Sequence, residues 1–389
     1  MSNNKENNAF IKHLHLKGFK SIVDLEVSLQ NGLNVVIGAN GSGKTNFVEF
    51  LKYALRGNRS EELKQPYSFN VLFETAEGDV KIEEHLSNQV RHRDYEIGIS
   101  SVSTKIININ KNEEFNIENR NIYGALHKSN NFFLALYFTP KAIPFNSEAA
   151  FNGSTFTELG HIIIGIGKNL SIRATYDVFE EKFYELEEKI MFAQSEVMEL
   201  KENMHTYLIL KKRLIENLKS FSPIKDLRLS DSLKIEQIGD RVEVSFILLE
   251  FYVNGTWLKW EQLSDGTKRI FHIIYQIINS RKLVLLEEPE NGVHPDQLYL
   301  LMDFIKEQAK EKQIIVTTHS PEVLNFIEKD ELDRIIVTRY DNEKKTQMHH
   351  LSEKTKKKAI RYMENKGMLS DCWVHTNYFE KYDEAEYEA

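Results

Sequence analysis

Residues 38–45 read GANGSGKT. Glycines at 38, 41 and 43 let the backbone fold into a loop whose N–H groups converge, which is what phosphate oxygens require. Lys44 brings a mobile positive charge for the β- and γ-phosphates of a nucleotide, and the Thr45 hydroxyl suits Mg²⁺. Asn40, Ser42 and Asn46 complete the expected nucleotide-binding set, Gly38 to Asn46. Far along the chain, KLVLLEEPENGVHP at 282–295 is an apolar run that delivers two carboxylates. Glu287 takes the metal-side position, where an aspartate is usual, and its longer chain is expected to reach Mg²⁺ through a water. Glu288 is placed to orient or polarise an attacking water. A second apolar run, IIVTTHSPEVL at 314–324, ends at His319. A lone histidine is more often structural, but one at a strand end beyond an acidic pair is placed to donate to a γ-phosphate.

KWEQLSDGTKRI at 259–270 raises a separate question. Ser264 and Gly266 offer a hydroxyl and backbone N–H groups where a helix begins, a second anion site. One γ-phosphate does not need two cradles from one chain. The economical solution is that this turn closes over a nucleotide held by another copy; the plainer one is that Ser264 only caps the helix.

Strand ends and helix starts must hold these groups, and the flanking patterns supply them. LNVVI (33–37) is a buried-strand run, and TNFVEFLKYALRG (45–57) has helical spacing that stops at Gly57, a candidate C-cap. FIKHLHLKGF and SIVDLEVSL alternate like strands. SFNVLFE, DVKIEEHL and YEIGISSV suggest antiparallel hairpins between about 68 and 110. Residues 111–170 show no clear organisation. From Phe179 to Phe221 apolar residues recur at four-three spacing, interrupted at Lys211. The stripe predicts a helix over 177–221, about 65 Å long at ~1.5 Å per residue, as a coiled-coil seam or a helix on the core. A bend at 202–206 would make it two helices. LKIEQIGDRVEVSFILLEFYVNGTWLKW reads as a β-meander. The last third alternates helix 266–280, strand 282–287, helix 296–311, strand 313–317, helix 321–328 and strand 334–340, an α/β pattern with parallel strands.

The bulk numbers narrow the class. The chain has 389 residues, room for two or three domains, with 41% hydrophobic and 28% charged residues, as in soluble globular proteins. One cysteine, Cys372, excludes an internal disulfide and fits a reducing, cytoplasmic setting. The polar start MSNNKENNAF lacks the apolar stretch of a signal peptide, and no apolar run is long enough to span a bilayer. A net charge of −8 argues against attraction of nucleic acid by the whole surface. KTKKKAIR at 354–361 is a local basic run, of the kind that is usually a solvated helix face.

In this order, GANGSGKT, LSDGTKR, LLEEPENGVHP and TTHS resemble the ATP-binding-cassette (ABC) superfamily, in the soluble branch of RecF, the SMC-type proteins and the OLD-like ATPases. LKGFKSI at 16–22 is similar to that branch's N-terminal strand motif. The resemblance implies an α/β ABC-type P-loop ATPase head with a mixed sheet, an antiparallel β subdomain and a helical insertion. The expected parts are an N-terminal lobe at 1–110, the insertion at 111–225, a C-terminal lobe at 226–350, and a helix with an acidic tail at 351–389. It implies ATP and Mg²⁺ as cofactors, Gln65 as the residue coupling Mg²⁺ to the inserted lobe, and Asn291 and His294 near a dimer seam. It further implies a head-to-head homodimer or higher oligomer. The short insertion and the absence of a carboxylate set after His319 depart from SMC arms and from OLD-like Toprim nucleases. The expected role is therefore a switch over a separate nuclease effector of HNH or Toprim type in antiphage defence, akin to toxin–antitoxin control, with DNA or RNA as a signal and no membrane. A RecF-like or SMC-like DNA-repair clamp and a scaffold with minimal turnover are the alternatives.

Overall fold

The computed structural model describes residues 10–56, 67–75, 78–88, 100–108, 113–117, 141–143, 162–165, 170–172, 202, 204–239, 241–280 and 283–376. The chain divides into two compact units. The first comprises Met1–Ile143, Ser280–Glu290 and Ile305–Ala389; the second comprises Pro144–Asn279 and Asn291–Phe304. Both units draw on distant parts of the chain and so cross the consecutive boundaries expected above.

The first unit is built on a twelve-stranded sheet. Its strands are β1 (Phe10–Phe19), β2 (Ile22–Ser28), β3 (Leu33–Ile37), β4 (Tyr67–Thr75), β5 (Gly78–Asn88), β6 (Ser100–Asn108), β7 (Glu113–Ile117), β8 (Lys141–Ile143), β16 (Leu283–Glu287), β17 (Gln313–Thr318), β18 (Ile335–Asp341) and β19 (Lys345–His350). The spatial order is β7-β6-β5-β4-β1-β2-β19-β18-β3-β17-β16-β8. Strands β18, β3, β17, β16 and β8 run parallel, and the other neighbours pair antiparallel. All five residues of β3 are buried, as expected of a parallel strand covered on both faces, and its one polar side chain, Asn34, accepts from the Gln30 amide and donates to the Gln30 carbonyl, each at 2.8 Å. Helix α1 (Lys44–Arg56) buries Phe47, Val48, Phe50 and Leu51. The Phe50 ring meets Phe19 and Phe69 edge-on, at 5.5 and 5.2 Å. Truncating a phenylalanine in such a place costs about 3–5 kcal/mol, so this contact seats the helix and the loop before it. At the start of β17 the buried Gln313 accepts from the Ile11 amide at 2.8 Å and donates to the carbonyls of Ile11 and Gln30, at 2.8 and 3.0 Å.

The second unit carries two small sheets. One has the order β10-β9-β13-β12, from Leu170–Ile172, Ile162–Gly165, Arg241–Ser245 and Lys234–Ile238; the other has β11-β14-β15, from Ile224–Leu229, Leu249–Val253 and Thr256–Lys259. The expected meander is thus split between sheets. Phe246, in the left-handed region at φ +54°, breaks the run, and the Ser230 amide donating to Leu248 O (2.8 Å) opens the second ladder. Helix α2 (Lys212–Phe221) buries Leu214 and Leu218. Helix α3 (Asp265–Asn279) presents Ile270, Phe271, Ile274 and Ile278 to the core, with Phe271 edge-on to Phe251 at 5.1 Å. Helix α4 (Pro295–Ala309) belongs to this unit as far as Phe304.

The single long helix expected over 177–221 is not continuous. Helical residues at 204–207 give way to a non-helical stretch before α2, and the break ends at Lys211, where the apolar spacing also fails. Lys211 has ψ 115° and donates to Asn279 Oδ1 at 2.8 Å. The N-terminal part of that stripe, and Gly57, lie outside the described residues. The helix expected at 321–328 is a 3₁₀ segment, Pro321–Phe326, closed by three-residue bonds such as Ile327 N to Leu324 O (3.0 Å). Two short helices, α5 (Glu353–Asn365) and α6 (Leu369–Thr376), follow β19. Among the described residues no helix is long and apolar enough to cross a membrane.

Candidate functional site

The candidate nucleotide site lies where β3, β16 and β17 end side by side in the first unit. Ligands of open α/β sheets bind at these carboxyl ends. The loop after β3 needs its glycines for two reasons. A Cβ at Gly43 would lie 2.1 Å from Thr346 Oγ1, and its φ is +102°; a Cβ at Gly38 would lie 2.2 Å from the Thr338 carbonyl oxygen. Strands β18 and β19 thus press directly on the loop. Lys44, nearly buried, donates to the carbonyls of Gly38 (2.8 Å) and Ala39 (3.0 Å), folded back over the loop it closes. Burial lowers its pKa, opposed by the charges of Glu288 and Glu290. Ser42 is buried and its Oγ has no hydrogen-bond partner, while Gly41 and Thr45 are exposed at the loop and helix start. Asn46 instead donates to Ser21 Oγ at 2.6 Å, and Ser21 pairs with Thr346 at 2.6 Å. It ties α1 to the turn between β1 and β2. Asn40 is exposed in the loop.

The acids follow β16. Glu287 sits at the strand end, 3.6 Å from Lys52 Nζ on α1, and its buried Oε1 has no partner. Burial raises its pKa, and Lys52 opposes the rise. Glu288 adopts φ +46°, a left-handed conformation that is strained in a residue with a side chain. Pro289 follows and disfavours the ordinary right-handed turn. The Glu288 amide donates to Thr317 O at 2.7 Å, and its Oε1 lies 3.2 Å from His319 Nδ1. Glu290 was not expected here. Its Oε1 accepts from Thr318 Oγ1 and lies 3.9 Å from the same imidazole nitrogen, and its Oε2 is buried without a partner. The unpartnered Oε1 of Glu287 and the hydroxyl of the exposed Thr45 are oxygen donors of the type Mg²⁺ takes, so these residues fit that ion. Gln65 lies outside the described residues.

The signature turn belongs to the second unit. Ser264 Oγ accepts from the Thr267 amide at 3.2 Å and pairs with Thr267 Oγ1 at 2.9 Å, so it caps α3. A Cβ on Gly266 would meet the Gly292 carbonyl oxygen at 2.8 Å, which holds this turn against the segment of Asn291 and His294. His294 is exposed and accepts on Nδ1 from the Asp296 amide at 3.3 Å.

A glycine loop entering a helix from a parallel strand, with an acid–histidine pair just past the ends of the next two strands on one side, defines an ABC-type P-loop ATPase head. Comparison with solved structures agrees in fold. An Smc head domain of Pyrococcus furiosus, solved with an extended coiled coil and the C-terminal domain of ScpA, superposes with a TM-score of 0.57 at 17% identity, over 92% of this chain and all of that one. The DNA replication and repair protein RecF of Desulfitobacterium hafniense is 45% identical over 58 residues, 14% of this chain and 16% of RecF. An uncharacterised ABC transporter ATP-binding protein of Methanocaldococcus jannaschii is 26% identical over 190 residues, 48% of this chain and 64% of that one. The chain therefore spans less than two thirds of these curated relatives. Residues 33–325 match one family model, and the chain belongs to that family, described as "AAA domain, putative AbiEii toxin, Type IV TA system".

Proposed function

We propose that the protein is an ATP-binding and ATP-hydrolysing switch. The observation that carries this reading is the Glu288–His319 pair, 3.2 Å apart, just past the ends of β16 and β17, in the same parallel sheet as the strand that leads into the loop closed by Lys44. On nucleotide binding Lys44 leaves the carbonyls of Gly38 and Ala39 for the β- and γ-phosphates, and the loop amides take the remaining phosphate oxygens. Thr45 and Glu287 would hold Mg²⁺, which neutralises phosphate charge when bound. Glu288 orients the attacking water, and His319 donates to the γ-phosphate. Ser264 and Gly266 of a second copy close the site, so ATP joins two heads. The switch works in the cytoplasm and acts on a separate effector, a nuclease in antiphage defence. Membership of a family described by a toxin and a type IV toxin–antitoxin system supports control of an effector. The local similarity to RecF supports the second reading, a DNA-repair clamp.

Glu288→Gln keeps shape and hydrogen bonding but removes the charge that orients water. ATP binding should persist, turnover should fall by about two orders of magnitude or more, and an ATP-held dimer should accumulate. Nucleotide-binding titration, phosphate release and light scattering measure the three in turn; unchanged turnover rejects the assignment of Glu288. Mass spectrometry of what co-purifies with the untagged protein separates a nuclease partner from repair factors.

A further inference from the structure

Glu287 is one methylene longer than the aspartate usual at its position, and the added reach brings its carboxylate to helix α1. Its Oε2 lies 3.6 Å from Lys52 Nζ, with both side chains largely shielded from solvent. Its Oε1 is buried and has no hydrogen-bond partner. Glu49, one turn before Lys52, is already engaged by Lys20 across the β1–β2 turn. The carboxylate that would face the metal is thus already faced by a fixed cation on one oxygen and open on the other.

We infer that Lys52 is the resting counter-ion of Glu287 and that a divalent cation arriving with nucleotide must displace it, so that the pair sets the Mg²⁺ concentration at which the site loads. The inference rests on the nucleotide-binding reading above. Two cations that share one carboxylate repel each other, and in a shielded site that repulsion is weakly screened. Each therefore weakens the other's hold. An aspartate, being shorter, would leave Lys52 to solvent and remove the competition.

The test is a Mg²⁺ titration of binding of the fluorescent nucleotide methylanthraniloyl-ATP. Lys52→Met keeps the aliphatic stem and removes the charge. The Mg²⁺ needed for half-maximal binding should fall about tenfold, Lys52→Arg should leave it as in the wild type, and affinity without Mg²⁺ should change by less than about twofold. The Lys52→Met shift should vanish in a Glu287→Gln background, where no carboxylate charge remains to be shared. Lys52→Gln serves in place of Lys52→Met should the latter not fold. An unchanged or raised Mg²⁺ requirement overturns the inference, since Lys52 would then support metal binding or be indifferent to it. A wild-type chain that binds the analogue neither with nor without Mg²⁺ overturns the nucleotide reading itself and this inference with it.

Discussion

Glu290 shows what a residue gains from strand pairing. Its side chain is 8% exposed against 22% for Glu288, and burial pushes its carboxyl above the usual carboxylate range. It accepts from Thr318 and comes within 3.9 Å of the His319 ring because β16 and β17 pair in register from Leu283–Gln313 to Glu287–Thr317. The glycine loop was legible because its chemistry is local: eight consecutive residues specify the turn. Glu290 was not, because two residues past Glu288 and beyond a proline it reads as turn polarity. For the same reason Asn46 looked like a phosphate ligand; its partner, Ser21, lies on a turn the motif does not include. Glu290 Oε1 lies 3.9 Å from the imidazole nitrogen that faces Glu288, so its charge should help orient His319 and leave nucleotide affinity alone. Glu290→Gln is expected to lower ATP turnover about tenfold with unchanged nucleotide affinity. That loss should disappear in a His319→Gln background; a loss that adds fully to the histidine change would mean Glu290 acts elsewhere.

Helix α3 carries its own test. His272 is half-buried in it beside Arg269, and burial first, then that neighbouring charge, push its pKa down to about 4. The folded chain therefore holds this histidine neutral. Its contribution to stability is complete above the ordinary histidine value of about 6.5 and is lost as pH falls toward 4. Between pH 7 and 5 the loss is about 2 kcal/mol. Denaturant unfolding at the two pH values should show a smaller acid penalty in His272→Gln than in the wild type; equal penalties would place the acid sensitivity in another group. Most elements were legible because apolar period sets their type: α3 and β16 fall within a residue of their expected limits. The failures have physical causes. A four-three stripe persists across a break, because periodicity records which face is buried and does not record whether the backbone at Lys211 stays helical. The meander reading could not foresee the left-handed Phe246 that sends one hairpin to each sheet.

On the scale of the molecule, the phosphate loop and the signature turn fall in different compact units, and the dimer model assigns the two halves of one site to different chains. Lys44→Ala spoils the cradle and spares the turn; Ser264→Arg spoils the turn and spares the cradle. Each alone should be inactive. Mixed, they should recover up to half the wild-type turnover per dimer, because one of two sites then joins both intact halves. If Ser264→Arg alone hydrolyses ATP normally, Ser264 is only the cap of α3. The fold class was readable because the motif order fixes it, whereas division into units was not: the sheet joins residues from both ends of the chain. That joining bears on how the protein is made. Strand β3, with all five residues buried, has as its neighbours β17 and β18, which begin at Gln313 and Ile335. At roughly 5–20 residues per second a ribosome needs on the order of 15–60 s to supply them. For that interval the strand that leads into the phosphate loop is exposed without its pairing partners, so the nucleotide site is among the last parts of the nascent chain to form.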